Sequence, residues 1–176
     1  MRIRLDRLWD LSQPVAHDGP GWPDHDAPRI RREERRPIEG VNTEAIAMNV
    51  HTGTHVDAPF HFDEAGATID QMPLEAFAGP ALFIDLRELV EPATAIGPAQ
   101  LEGGVGIDAL SMGGYGGPEV GEPSHTALLG AGKAIVEELH IPEELIGRRA
   151  FFTSFPILLQ GCGGAPARAV AWEIEE

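Results

Sequence analysis

Apolar residues in this chain gather in short runs separated by turn-forming residues, with no long helical stripe. Leu8 to Gln13 begins as a strand and gives way to a loop rich in proline and glycine, Pro14 to Pro28. Glu44 to His51 reads as a strand feeding directly into a histidine-rich stretch. Gly79 to Leu86 and Val105 to Leu110 are compact apolar runs of the buried-strand type. Asp63 to Phe77 carries turn chemistry with one helical turn around Leu74 to Phe77. Beyond a glycine-rich loop from Met112 to Pro123, Ser124 is placed to cap a helix from His125 to about Ala131, with Gly132 as its terminator. Ala134 to Leu139 is strand-like, Pro142 to Ile146 forms a short helical turn, and Phe151 to Leu159 and Ala167 to Ile174 are the closing strands. Strands outnumber helices, which predicts a mixed α/β domain with a substantial antiparallel component.

Size and charge narrow the function classes. A chain of 176 residues is most simply one domain, 1–176, with room for a real core. A formal charge of −15, from 28 acidic and 13 basic residues, argues against nucleic acid as a partner. Such binding draws its affinity mainly from neutralised phosphates. The arginines between Arg29 and Arg36 are interleaved with Glu33 and Glu34, so they read as a solvated strand edge or loop. No run approaches the length of a membrane span, and the first residues lack a secretory pattern, so no membrane partner and a cytoplasmic address are expected. The single cysteine, Cys162, excludes an intrachain disulfide and a four-cysteine zinc cluster. No Gly-x-Ser-x-Gly nucleophile elbow occurs.

The strongest chemical signal is His51, His55, Asp57 and His61, all on odd positions of one short stretch. In an extended chain these would share a face. Three imidazoles and a carboxylate crowded together call for a divalent ion, because zinc and manganese accept those ligands. Gly53, Pro59 and the β-branched Thr52, Thr54 and Val56 oppose a helix here, so the helical metalloprotease arrangement is not the geometry.

The stretch from His51 to Phe62 resembles the signature of the metal-dependent cyclase-like hydrolases, the family of bacterial kynurenine formamidase and isatin hydrolase. Trp9 to Pro14, Gly21 to Pro23, Gly106 to Ser111 and Gly161 to Val170 are similar to other segments of that family. The resemblance implies a single mixed-sheet domain of the swivelling β/β/α type, strand-rich with short helices. It implies His51, His55 and Asp57 as metal ligands, joined by a distant pair that the run from His125 to Glu137 places at His125 and Glu137. Glu138 faces the opposite side of the strand and is not chosen. His61 would be the catalytic acid/base. The cofactor would be zinc or manganese, as one ion or two, and the protein a homodimer or larger homo-oligomer acting on a small molecule. The connection between about 88 and 104 is shorter than in the family, which usually carries a further strand and helix there.

These expectations converge on hydrolysis of a small amide C–N bond, such as that of N-formylkynurenine or isatin. Trp22, Phe60 and Phe62 are candidates to stack against an aromatic substrate. A competing expectation is a catalytically silent metal- or ligand-binding member whose shortened central region has cost it turnover.

Overall fold

The computed structural model describes residues 2–86, 104–113 and 118–175, and the side chains of 118–121 are not included. The short connection between about 88 and 104 lies largely outside these residues. Among the described residues nine strands run in chain order: β1 (Arg2–Asp10), β2 (Arg29–Glu34), β3 (Thr43–Ala47), β4 (His55–Asp57), β5 (Ala78–Leu82), β6 (Val105–Gly106), β7 (Ile135–Glu137), β8 (Arg149–Pro156) and β9 (Gly164–Glu175). Among the same residues two α-helices join them, α1 (Arg36–Glu39) and α2 (Pro118–Leu129).

Seven strands form one sheet in the order β5-β8-β9-β4-β7-β6, with β1 also paired to β9. Only the β6–β7 pair is parallel, so the sheet is mixed and mainly antiparallel. This is the strand-rich α/β class expected, with short helices. The long β9 serves three neighbours in turn: β4 at its start, β8 through its middle and β1 toward its end. Its Ala165, Ala169 and Ala171 are fully buried, and such small side chains let other residues pack closely above them. They meet Leu11, Val56, Phe77, Val136 and Leu145 in the main core. A second, smaller cluster joins Leu128 and Leu129 of α2 to Ile135 of β7. β2 and β3 form a separate antiparallel hairpin, whose arginines are exposed and paired with Asp18, Glu33 and Glu44.

Several boundaries differ from the sequence reading. The strand expected from Glu44 to His51 stops at Ala47, because the Asn49 side chain accepts the His51 N–H at 2.9 Å and starts a turn. The helix expected from His125, capped by Ser124, starts upstream at Pro118 and contains Pro123. Ser124 is therefore a buried residue within the helix, not its cap. Pro123 is the sixth residue of the helix, where a proline costs one intrahelical backbone hydrogen bond. β6 is only two residues long, although Ile107 continues the ladder by donating to the Val136 carbonyl at 2.9 Å.

A candidate metal centre on the β4–β7 face

The ladder assembles the site. In the antiparallel β4–β7 pair His55 stands opposite Glu137, and in the β4–β9 pair Asp57 stands opposite Gly164. Side chains two apart on a strand share a face, so His55, Asp57 and Glu137 point one way. Val56, Val136 and Ala165 point into the core on the other. Helix α2 then covers the free face. His125, Leu128 and Leu129 stand at helical spacing on one stripe, and packing of the two leucines on Ile135 hangs the His125 ring over Glu137. Its Nε2 lies 3.1 Å from Glu137 Oε1.

The two outer histidines arrive by a different route from the one their spacing suggested. The strand itself covers only His55–Asp57, so shared parity does not bring His51 and His61 together. His51 lies in a turn that Gly53, at φ 65°, folds back, and its Nδ1 donates to Asp57 Oδ1 at 2.8 Å. His61 closes a 3-10 turn at Pro59–His61 and stacks on His51, ring centroids 3.9 Å apart. Gly164 is what makes room. A Cβ there would sit 2.6 Å from His51 Cε1 and 2.7 Å from the Val56 carbonyl oxygen.

Asp57 is the hub. It is wholly buried, with His55 Nε2 3.3 Å from Oδ1 and His125 Nε2 3.8 Å from Oδ2. Ligand atoms of His51, Asp57 and His61 lie within 4.8 Å of one another, as do those of His55, Asp57 and Glu137. Among the described residues Asp57 Oδ2 has no hydrogen-bond partner. A buried carboxylate oxygen left in this way is costly, and a divalent cation would satisfy it. The donor set of imidazole nitrogens and carboxylate oxygens, without a thiolate, suits zinc or manganese. The residues present therefore fit a divalent ion.

Electrostatics follows from this crowding. Burial works against a charged His55, yet the hydrogen bond and charge of Asp57, with the Gly53 carbonyl and Glu137, prevail and raise it to about 9. Burial likewise opposes ionisation of Asp57, but His51 and His55 hold its carboxyl well below the usual range. His61 is open to solvent on one side while the rest of its ring is desolvated against the cluster. That desolvation lowers its pKa below the ordinary imidazole value, helped by His51, His125 and His55 and opposed by Asp57. Near neutral pH His61 is thus a neutral base facing the cluster. The His55 Nδ1–H donates to the Gly53 carbonyl at 2.7 Å, which leaves Nε2 toward the centre. The Met112 N–H donates to Glu137 Oε1 at 2.5 Å.

Of the aromatic candidates, Phe62 stands at the site, stacked on His125 at 4.6 Å and edge-on to His61 at 4.7 Å. Phe60 lies on the same 3-10 turn with over a third of its surface exposed. Trp22 is half-buried in a loop that abuts the motif, since a Cβ on neighbouring Gly21 would touch the Thr52 side chain at 3.7 Å. Glu138 follows Glu137 in a left-handed backbone conformation, φ 53°. Sequence reasoning passed over the Met112 amide, the steric part of Gly164 and the Thr54 hydroxyl.

A curled mixed sheet bearing a buried imidazole–carboxylate centre at its middle strands defines the class of molecule. The chain belongs to the Cyclase family ("Putative cyclase"), whose model matches residues 9–113. It is similar to the kynurenine formamidase of Paracidovorax citrulli, with 46% identity over 79 residues. That stretch spans 44% of this chain but only 36% of the relative. Among solved structures it is similar to a potential metal-dependent hydrolase with cyclase activity, at 28% identity and a TM-score of 0.75 over 97% of this chain and 99% of that one. Isatin hydrolase A from Labrenzia aggregata shares the fold, at 21% identity and a TM-score of 0.77 over 96% of this chain and 94% of that one.

Proposed function

We propose that this protein is a metal-dependent hydrolase that cleaves the C–N bond of a small amide, either an arylformamide such as N-formylkynurenine or a cyclic amide such as isatin. The observation that carries this reading is Asp57, a fully buried carboxylate set among His51, His55, His125 and Glu137, with one oxygen that accepts no hydrogen bond among the described residues. Those five side chains would hold the ion, zinc or manganese. When bound, a divalent ion supplies Lewis acidity, polarising a carbonyl and making water acidic enough to ionise near neutral pH.

The protein's own groups do the rest. His61, neutral and at the rim of the cluster, takes the proton from the attacking water. The water oxygen bonds to the amide carbon, the C–N bond breaks, and His61 returns the proton to the departing nitrogen. The products are a carboxylic acid and an amine, joined in one molecule where the amide was cyclic. His51, stacked against His61, orients its ring. The half-exposed Phe62 offers an aromatic edge beside the acid/base, suited to a planar aryl substrate.

The test is elemental analysis of the purified protein, followed by hydrolysis of formyl anilides, cyclic amides and lactones with zinc or manganese restored. His61→Ala should lower kcat by about 10²–10⁴-fold with bound metal nearly unchanged. Stoichiometric metal without turnover on any substrate in the panel would instead favour a silent binding member of the family.

A further inference from the structure

Thr54 is almost fully buried between the two histidines of the motif, and its hydroxyl does two things at once. It donates to the Glu138 carbonyl at 2.6 Å and accepts the Gln13 N–H at 2.8 Å. Its own carbonyl accepts the Ala167 N–H of β9 at 3.0 Å. One residue thereby ties together the strand that carries His55, the end of the strand that carries Glu137, the segment after β1, and β9.

What it ties down is strained. Glu138 adopts φ 53°, a left-handed conformation uncommon for residues other than glycine, asparagine and aspartate. Continued extension would have carried the β4–β7 ladder one residue further. The chain instead turns directly after Glu137, with the Glu138 N–H donating to the Ala109 carbonyl and the Leu139 N–H to the Ile107 carbonyl, each at 3.0 Å. Such strain persists only where surrounding contacts hold it, and the Thr54 hydroxyl is the contact that reaches the strained residue's carbonyl. On the other side of Thr54, Gly53 at φ 65° presents the carbonyl that fixes the His55 ring at 2.7 Å.

We infer that Thr54 is a positioning residue whose hydroxyl clasps the turn after Glu137 to the turn before His55, holding these two groups at the spacing a metal ion needs. The inference rests on the metal-centre reading above. It does not require Thr54 to touch an ion or a substrate.

The experiment compares the parent with Thr54→Val, which keeps the shape and removes the hydroxyl, and Thr54→Ser, which keeps the hydroxyl. Zn²⁺ affinity is read by competition with a chromogenic chelator, and thermal midpoints are read on the metal-free proteins. Thr54→Val should weaken Zn²⁺ about 10–100-fold, the usual effect of losing a group that orients a ligand from behind, while Thr54→Ser binds as the parent does. Thr54→Val binding Zn²⁺ as tightly as the parent, even with a lowered midpoint, makes the hydroxyl merely structural and overturns the proposal. If Thr54→Val does not fold, the comparison moves to a Glu138→Gly background, where the strain is relieved. The valine substitution must weaken Zn²⁺ there too, and equal affinity overturns the proposal. A parent that binds no Zn²⁺ sinks the metal-centre reading itself, a result distinct from a tight-binding parent matched by its valine variant.

Discussion

Asp57→Asn, studied in the metal-free protein, isolates the charge that organises the centre. The amide has nearly the shape of the carboxylate but cannot hold His55 as an imidazolium. In the parent, moving His55 from 6.5 to about 9 corresponds to about 3 kcal/mol of preference for its protonated form. The folded value lies above the unfolded one, so this stabilisation is complete below pH 6.5 and is lost as pH climbs through 9. About 2 kcal/mol of it should go between pH 7 and pH 9. In the variant, burial acts on His55 unopposed by a buried carboxylate at position 57, its pKa falls, and this dependence vanishes. The variant should therefore be less stable than the parent by several kcal/mol near pH 6.5, in line with the roughly 3–5 kcal/mol that breaking a buried charge pair costs. The gap should shrink as pH rises. Urea denaturation of both proteins from pH 6 to 9.5, with chelator present, reads this directly. Stability curves that fall in parallel, or a gap that widens with pH, would refute the argument that Asp57 and His55 share a proton-held pair.

The same pairing predicts that the ion displaces a proton, since an imidazolium cannot ligate. Calorimetric titration of Zn²⁺ at pH 7.5 in two buffers of different ionisation enthalpy should report close to one proton released for His55, and buffer-independent heats would contradict the pairing. Gly164→Ala should be destabilising by about 1–3 kcal/mol, the usual cost of forcing a methyl group into a filled space. It should also lower Zn²⁺ affinity, because the new Cβ would lie 2.6 Å from His51 Cε1 and 2.7 Å from the rigid Val56 carbonyl. Unchanged affinity in a folded Gly164→Ala protein would show that His51 is free to move aside.

The strand-rich α/β class was legible because apolar runs and turn residues alternate along the whole chain, and β5, β7, β8 and β9 fall within or close to the expected runs. The histidine cluster was legible as chemistry but not as geometry. Parity placed four residues on one extended face, whereas the strand covers only three residues and the flanks fold into turns. At Gly53 the positive φ of 65° suits glycine, and a neighbour, Val15, whose side chain would lie 2.7 Å from any Cβ, fills the space a side chain would need. That neighbour is distant in sequence and invisible to a periodicity argument. Alternation does operate up to the end of β7, which puts the Glu137 carboxylate beside His125. The left-handed turn that follows was not foreseeable, since glutamate is an unusual occupant of that conformation. Helix α2 was misjudged at its start because Met112 to Pro123 reads as a glycine-rich loop, and its closing proline is a residue that rarely sits inside a helix.

Two kinds of support thus meet in the centre, and they differ in rigidity. His55, Asp57 and Glu137 stand on hydrogen-bonded strands in fixed register, and each is nearly or wholly buried. Their spacing is a property of the ladder. His51 and His61 stand on turns at either end of a three-residue strand, one shaped by Gly53 and the other by Pro59, and they hold each other by stacking. Under the proposed mechanism that second kind of mounting would suit His61, which would approach water and leaving group while the strand-borne side chains stay still. The arrangement also accounts for the glycine opposite Asp57. A side chain at that register position would fill the space that the His51 ring uses to reach the carboxylate, so the sheet leaves one position empty in order for a turn to close over it.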